Sequence, residues 1–165
     1  MMADVSVGSG RLGGAVVSDA TIDRLASRLA RNGVSIDRSE AAVARLNSRS
    51  ASAAFGAADD GRSATLFLRP DATRYEIAHE LKHYADWLAD SAAYVQRGLA
   101  YKNVSGGRAY EMFSKVSSTL AAERYVHDGL KKTHFHRMTA EEIKHAQSYI
   151  RDVQQNYDFW RRQAR

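Results

Sequence analysis

Near the start of the chain, apolar residues recur at spacings of three and four: Ile22, Leu25, Ala26 and Leu29. That spacing lines one side of an α-helix. Ser18 stands where an N-cap belongs, and Asn32-Gly33 follows as a stop. A short second helix is predicted from Ser39 to Asn47. The pattern then changes. The run ASAAFGA, the turn Ala58-Asp59-Asp60-Gly61 and the run Ala64-Thr65-Leu66-Phe67-Leu68 predict a β-hairpin. Pro70 closes its second strand.

Thr73 and Glu76 form a capping box that opens a third helix, reaching about Ala89. Ile77, Leu81, Tyr84 and Leu88 make its apolar spine. Gly106-Gly107 is a break. A further helix is predicted from about Ala109 to Asp128, stopped by Gly129. Thr139 and Glu142 form a second capping box, and Ile143, Ala146, Ile150, Val153, Tyr157 and Trp160 stripe the last helix. The expectation is a mostly helical α+β domain over residues 18–165, with a small β-hairpin beside the third helix. Residues 1–17, rich in Gly and Ser, read as a flexible leader or linker.

Composition narrows the chemistry. A chain of 165 residues suits one domain with a real core. It has no cysteine, so disulfides are excluded and any metal must be held by His and carboxylates. The net charge is +5, but Lys and Arg are interleaved with acids, and the one local excess is Arg161, Arg162 and Arg165. A nucleic-acid binder concentrates its cations on one face, so the pattern argues against such a partner. No run approaches the roughly 20 apolar residues of a membrane helix, and the first residues lack the apolar core of a signal peptide.

The third helix carries His79-Glu80-Leu81-Lys82-His83, an H-E-x-x-H pattern. Residues four apart share a helix face, so both imidazoles can converge on one metal ion. Glu80 then stands beside the open coordination position as a general base. Chance yields this pattern in about one sequence in a hundred of such composition. The two histidines lie off the apolar spine on a separate His/Glu face, and a ligand role is favoured over a merely solvated face.

A catalytic zinc site needs three protein ligands and one open position. The metzincin pattern is excluded, because Asp86 and Ala89 stand where its Gly and third His would be. The helix from 109 offers Glu111 and Glu123. Glu111 shares a polar stripe with Ser114, Lys115 and Ser118. Glu123 shares a stripe with Phe113, Val116, Leu120 and His127. A carboxylate among apolar residues is costly unless paired or coordinated, so Glu123 is the expected third ligand. His127 is a candidate for steadying an oxyanion or a ligand. His134 and His136 fall in a polar loop, and His145 falls on the polar side of the last helix. Tyr101, Tyr110, Tyr125 and Tyr157 are potential proton donors that more often serve packing.

The stretches LFLRPDATRYEIAHELKHYADW, AAERYVHDGL and MTAEEIKHAQSYI resemble the zincin-like metallopeptidase domains at the C-termini of bacterial polymorphic toxins, in particular the group called metallopeptidase toxin 4. The likeness runs from about Leu66 to Ile150. It implies a zincin-like fold with a gluzincin-like zinc site: His79, His83 and Glu123 as ligands and Glu80 as base. It also implies a protein or peptide substrate, a cognate immunity protein as partner, and delivery into a target cell as the last part of a larger secreted protein. Two other readings stay open at this point: a non-catalytic zinc-binding helical module, and a basic nuclease-type toxin.

Overall fold

The structure is a computed structural model that describes residues 10–165. The helix starts follow local chemistry. Helix α1, Asp19–Ala30, begins where the Ser18 hydroxyl accepts from the Thr21 amide at 3.3 Å. Its exit turns at Gly33, whose φ of +74° suits a residue without a Cβ. Helix α2, Glu40–Ser48, is capped in the same way by Ser39. Helix α3, Arg74–Ala89, opens with a complete capping box between Thr73 and Glu76. Helix α5, Arg108–Thr133, and helix α6, Ala140–Gln163, follow, and α6 opens with the second complete box, Thr139 with Glu142.

The predicted hairpin forms as β2, Ala53–Ala57, antiparallel to β3, Ala64–Leu68, with Ala57 opposite Ala64. Two elements have no predicted counterpart. Strand β1, Val34–Asp37, joins β3 in parallel and makes a mixed sheet of order β1-β3-β2. With only four residues it shows too little alternation to register as a strand. Helix α4, Ser91–Leu99, turns back directly from α3, its N-cap Asp90 accepting from the Ala93 amide at 2.9 Å. The domain is therefore a mostly helical α+β fold with a small sheet beside α3. Among the described residues no helix is long and apolar enough to cross a membrane.

Helix α3 is packed on two sides. One side joins α1 and the sheet in a core containing Leu25, Leu29, Val34, Leu66, Leu68 and Ile77. The other joins α5 and α6 through Tyr75, Ala78, Val126, Leu130 and Ala146. The predicted spine holds for Ile77, Leu81 and Tyr84 but not for Leu88, which is 49 % exposed, while Trp87 is buried. The aromatic corner of Phe55, Tyr84 and the α4 residue Tyr94 lies on the Trp87 side and draws that ring in. Helix α5 also runs past its predicted stop. Gly129 lies inside it, where a Cβ would stand 3.0 Å from Lys82 Cδ, so this glycine serves the close approach of α5 to α3.

The predicted leader is corrected in part. Residues 1–9 lie outside the described residues. Residues 10–17 are held against the domain by an isolated bridge between Val16 and Thr73 and by backbone bonds Val17 N–H to Ala72 and Arg74 N–H to Ala15. Val17 is buried in the first core, and Leu12 packs on the second. Gly and Ser composition signals chain flexibility only when no backbone partner is available, and here the segment before α3 supplies one. At Gly14 a Cβ would collide with the Glu142 carboxylate, which is locked in the α6 capping box. Gly14→Ala should therefore cost about 1–2 kcal/mol, the worth of a cap. Gly98→Ala, where an added Cβ meets nothing within 4 Å inside α4, should be neutral or stabilising by up to about 1 kcal/mol. Urea midpoints of the two variants check this, and equal midpoints would mean that residues 10–17 do not pack as described.

Candidate metal centre

The capping box at Thr73 sets the phase of α3, and that phase sets the direction of its polar side chains. Thr73 is almost wholly buried, and its amide donates to Glu76 Oε2 at 2.8 Å. From that start, His79 and His83 fall one turn apart on the side facing α5, their ring centroids 5.3 Å apart. Helix α5 brings Glu123 against both. His79 Nε2 lies 3.2 Å from Glu123 Oε2, and His83 Nε2 lies 3.3 Å from Glu123 Oε1. The three side chains are only 17 %, 11 % and 11 % exposed. Their donor atoms all lie within 4.8 Å of one another. Glu111, the rejected alternative, is exposed in the first turn of α5.

Burial pushes the Glu123 carboxyl upward, but the two imidazoles outweigh it and hold the pKa down at about 2. Burial pulls His83 downward, while its contact with Glu123 and the nearby Glu80 and Asp86 charges carry it above its ordinary value. Glu80 is buried and raised, because desolvation dominates over the two histidines that favour its charged form. The Phe55 backbone on β2 adds a smaller effect that also favours the charged form.

Does this donor set suit a metal? Two imidazole Nε2 atoms and a carboxylate converge, with no thiol in the chain. Glu123 Oε2 and His83 Nδ1 are buried without a hydrogen bond; the 3.2 Å contact of Oε2 with His79 is close but not aligned as one. A buried carboxylate oxygen left so is costly. A divalent cation among these three atoms would satisfy it, and nitrogen-oxygen donors of this kind suit zinc. The residues fit the group.

A fourth residue enters from α6. The Tyr149 hydroxyl donates to Glu123 Oε1 at 3.2 Å, and its ring lies edge-on to His79. Burial and the Glu123 carboxylate push the Tyr149 pKa up, so it remains a neutral donor. His145, expected at the surface, lies with its ring parallel to Tyr149 and shares a 2.9 Å hydrogen bond with the Tyr75 hydroxyl. Sequence reasoning passed over Tyr149. A signal was present: Glu142, His145 and Tyr149 share a polar stripe on α6, apart from the apolar one. The four tyrosines considered instead do not reach the centre. Tyr110 and Tyr125 are exposed, Tyr101 lies under Lys115, and Tyr157 packs on Phe113. His134 and His136 are held at the α5–α6 turn by Thr133 and Arg137. His127 follows Glu123 by one turn and sits edge-on to Phe135; it lines neither of the two larger clefts but shares a small cavity of about 10 Å³ with His79, Glu123 and Tyr149.

Two clefts meet at the cluster. One, about 240 Å³, runs past Ser52, Tyr75 and His145; the other, about 550 Å³, runs past Phe55, Tyr94 and Ser118. His79, Glu80 and Tyr149 line both. A larger groove of about 900 Å³ lies between α1 and the α5–α6 turn and contains none of the three candidate ligands. The cluster chemistry, not cavity size, therefore marks the site. No protein-family model, curated protein or solved structure matches the chain.

The geometry makes a direct prediction. Protein purified in excess zinc and then desalted should carry about one metal per chain, as expected of a three-ligand site. Glu123→Ala should lose it and Glu111→Ala should keep it, measured by elemental analysis. Loss of metal in Glu111→Ala alone would sink the assignment of the third ligand.

Proposed function

We propose that the chain is a zinc-dependent peptidase acting as a bacterial effector toxin. The observation that carries this reading is the convergence of His79, His83 and Glu123 with Glu80 beside them, carried on two helices, α3 and α5. His79, His83 and Glu123 would hold the ion. Zinc bound there supplies Lewis-acid polarisation and makes a water easier to deprotonate.

The protein groups do the rest. Glu80 accepts a proton from the attacking water and passes it to the leaving amine nitrogen. Its burial raises its proton affinity, which suits a group that must take up a proton and release it again. Tyr149 presents a neutral hydroxyl where both clefts meet, a donor for the negative charge that develops on the substrate oxygen. Tyr75 and His145 brace the Tyr149 ring. The substrate lies across the centre, one side in each cleft.

The toxin role, the cognate immunity protein and delivery as part of a larger secreted protein rest on the resemblance of residues 66–150 to metallopeptidase toxin 4 domains. A protein in a target cell is the proposed substrate class.

Glu80→Gln should leave the zinc content unchanged and lower peptide hydrolysis by about 10²–10⁴-fold, the contribution of a positioned acid–base group. Unchanged hydrolysis or unchanged toxicity on expression would sink the peptidase reading in favour of a non-catalytic zinc module. Tyr149→Phe should lower kcat by about 10²–10³-fold with little change in KM, the worth of one oxyanion donor. A change confined to KM would show Tyr149 to be a binding residue instead.

A further inference from the structure

We infer that Arg49 selects substrates with acidic side chains beside the scissile bond, a reading that rests on the peptidase function proposed above. Arg49 is the C-cap of α2, and its backbone is firmly placed. Its amide donates to the Leu46 and Asn47 carbonyls. The next residue, Ser50, takes φ +51°, a left-handed conformation that costs a residue with a Cβ more than it costs glycine. The Ala51 amide returns to Leu46 at 2.9 Å. From the other side, the Arg69 guanidinium bonds Asn47 Oδ1 at 2.8 Å and the Ala51 carbonyl at 3.0 Å. The turn is thus pinned from two directions, although it is exposed and contributes nothing to the core. An exposed loop held so firmly has a placement to maintain.

That placement is on the wall of the clefts that meet at the centre. Arg49 lines both clefts, as His79, Glu80 and Tyr149 do. Three other cations line one cleft each, and each already has partners. Arg97 pairs with Asp86 at 2.8 Å. Lys115 stands over the Tyr101 ring at 5.3 Å. Arg11 bonds Ser52 and approaches His145 at 3.3 Å and Glu76 at 3.7 Å. Arg49 alone among these four has a side chain with no hydrogen bond, ion pair or ring contact among the described residues. The acids that line the clefts are committed: Glu76 to its cap and Glu80 and Glu123 to the centre.

The balance is a substrate channel with cations on each side of the reacting position and no spare anion. Low-dielectric walls focus such a field on what enters. A guanidinium free to move on a fixed backbone can meet a carboxylate through two parallel N–H bonds, which a neutral amide side chain cannot match. The ligand chemistry that fits is a peptide carrying Asp or Glu within one or two residues of the bond that is cut.

The test uses a synthetic mixture of random decapeptides and the zinc-loaded Glu80→Gln protein, which binds without cutting. Peptides retained on the immobilised protein are sequenced by mass spectrometry, and the same mixture is given to zinc-loaded wild type to read cleavage. Retained peptides should be enriched in Asp and Glu by about tenfold over the input, the scale of one charge-assisted contact. The enrichment should collapse in Glu80→Gln with Arg49→Ala and turn toward Lys and Arg with Arg49→Glu, zinc content and circular dichroism being unchanged. No acidic enrichment, or enrichment that both Arg49 variants keep, overturns the assignment. Acidic enrichment that depends on Arg49 supports it whether or not wild type cuts the mixture. Absence of cleavage by wild type counts against the peptidase function alone.

Discussion

The whole arrangement depends on α3 being packed on two sides at once. A helix with a single buried face can leave its polar residues in water. Here one side of α3 builds the core with α1 and the sheet, and the other meets α5 and α6. His79, Glu80 and His83 are consequently shut between elements, and buried polar groups must find partners. Glu123 answers both imidazoles from α5, and the same two histidines favour the charged form of Glu80. The polar cluster is therefore the price of placing a reactive face inside the fold. Glu123 comes from α5 and Tyr149, which donates to it, from α6.

The same packing explains the local details that surround the centre. The Thr73 cap fixes where α3 begins, and the segment from Gly10 to Val17 lies over that cap through Val16 and Ala15. Gly129 lets α5 approach α3 closely beside Lys82. The aromatic corner of Phe55, Tyr84, Trp87 and Tyr94 fastens the hairpin and α4 to the far end of the same helix. The electrostatics follow from the geometry. A carboxylate between two imidazoles stays ionised despite burial, whereas Glu80, one step further from them and more desolvated, is pushed the other way. Two acids on neighbouring elements thus acquire opposite tendencies, the division of labour expected of a ligand and a base.

Much of this was legible in residue order because it is local. Hydroxyl and carboxyl pairs three residues apart specify a helix start through bonds within one turn, and both boxes form as read. The D-G turn between apolar runs specifies the hairpin for the same reason. Glu123 was distinguishable from Glu111 because a charge on an apolar stripe signals that something must meet it. The failures are equally physical. Strand β1 is too short to show a period and exists only because β3 offers it a ladder. Helix α5 passes Gly129 because its contacts with α3 outweigh the propensity of one residue. Leu88 and Trp87 exchanged places because the aromatic corner, assembled from three elements, decides which ring is covered.

By itself, then, the sequence determined the helix starts, the hairpin, the fold class and the spacing that aligns His79 with His83, all of which depend on neighbours within a few residues. Only the tertiary structure decided that Glu123 meets both rings, that Tyr149 donates to Glu123, and that Arg49 lines both clefts. The contacts at Glu123 join residues 26 to 44 positions apart, Tyr149 at the near end and His79 at the far one. Their distances are set by how helices and sheet pack against α3, and no periodicity along a chain encodes the angle at which two elements cross.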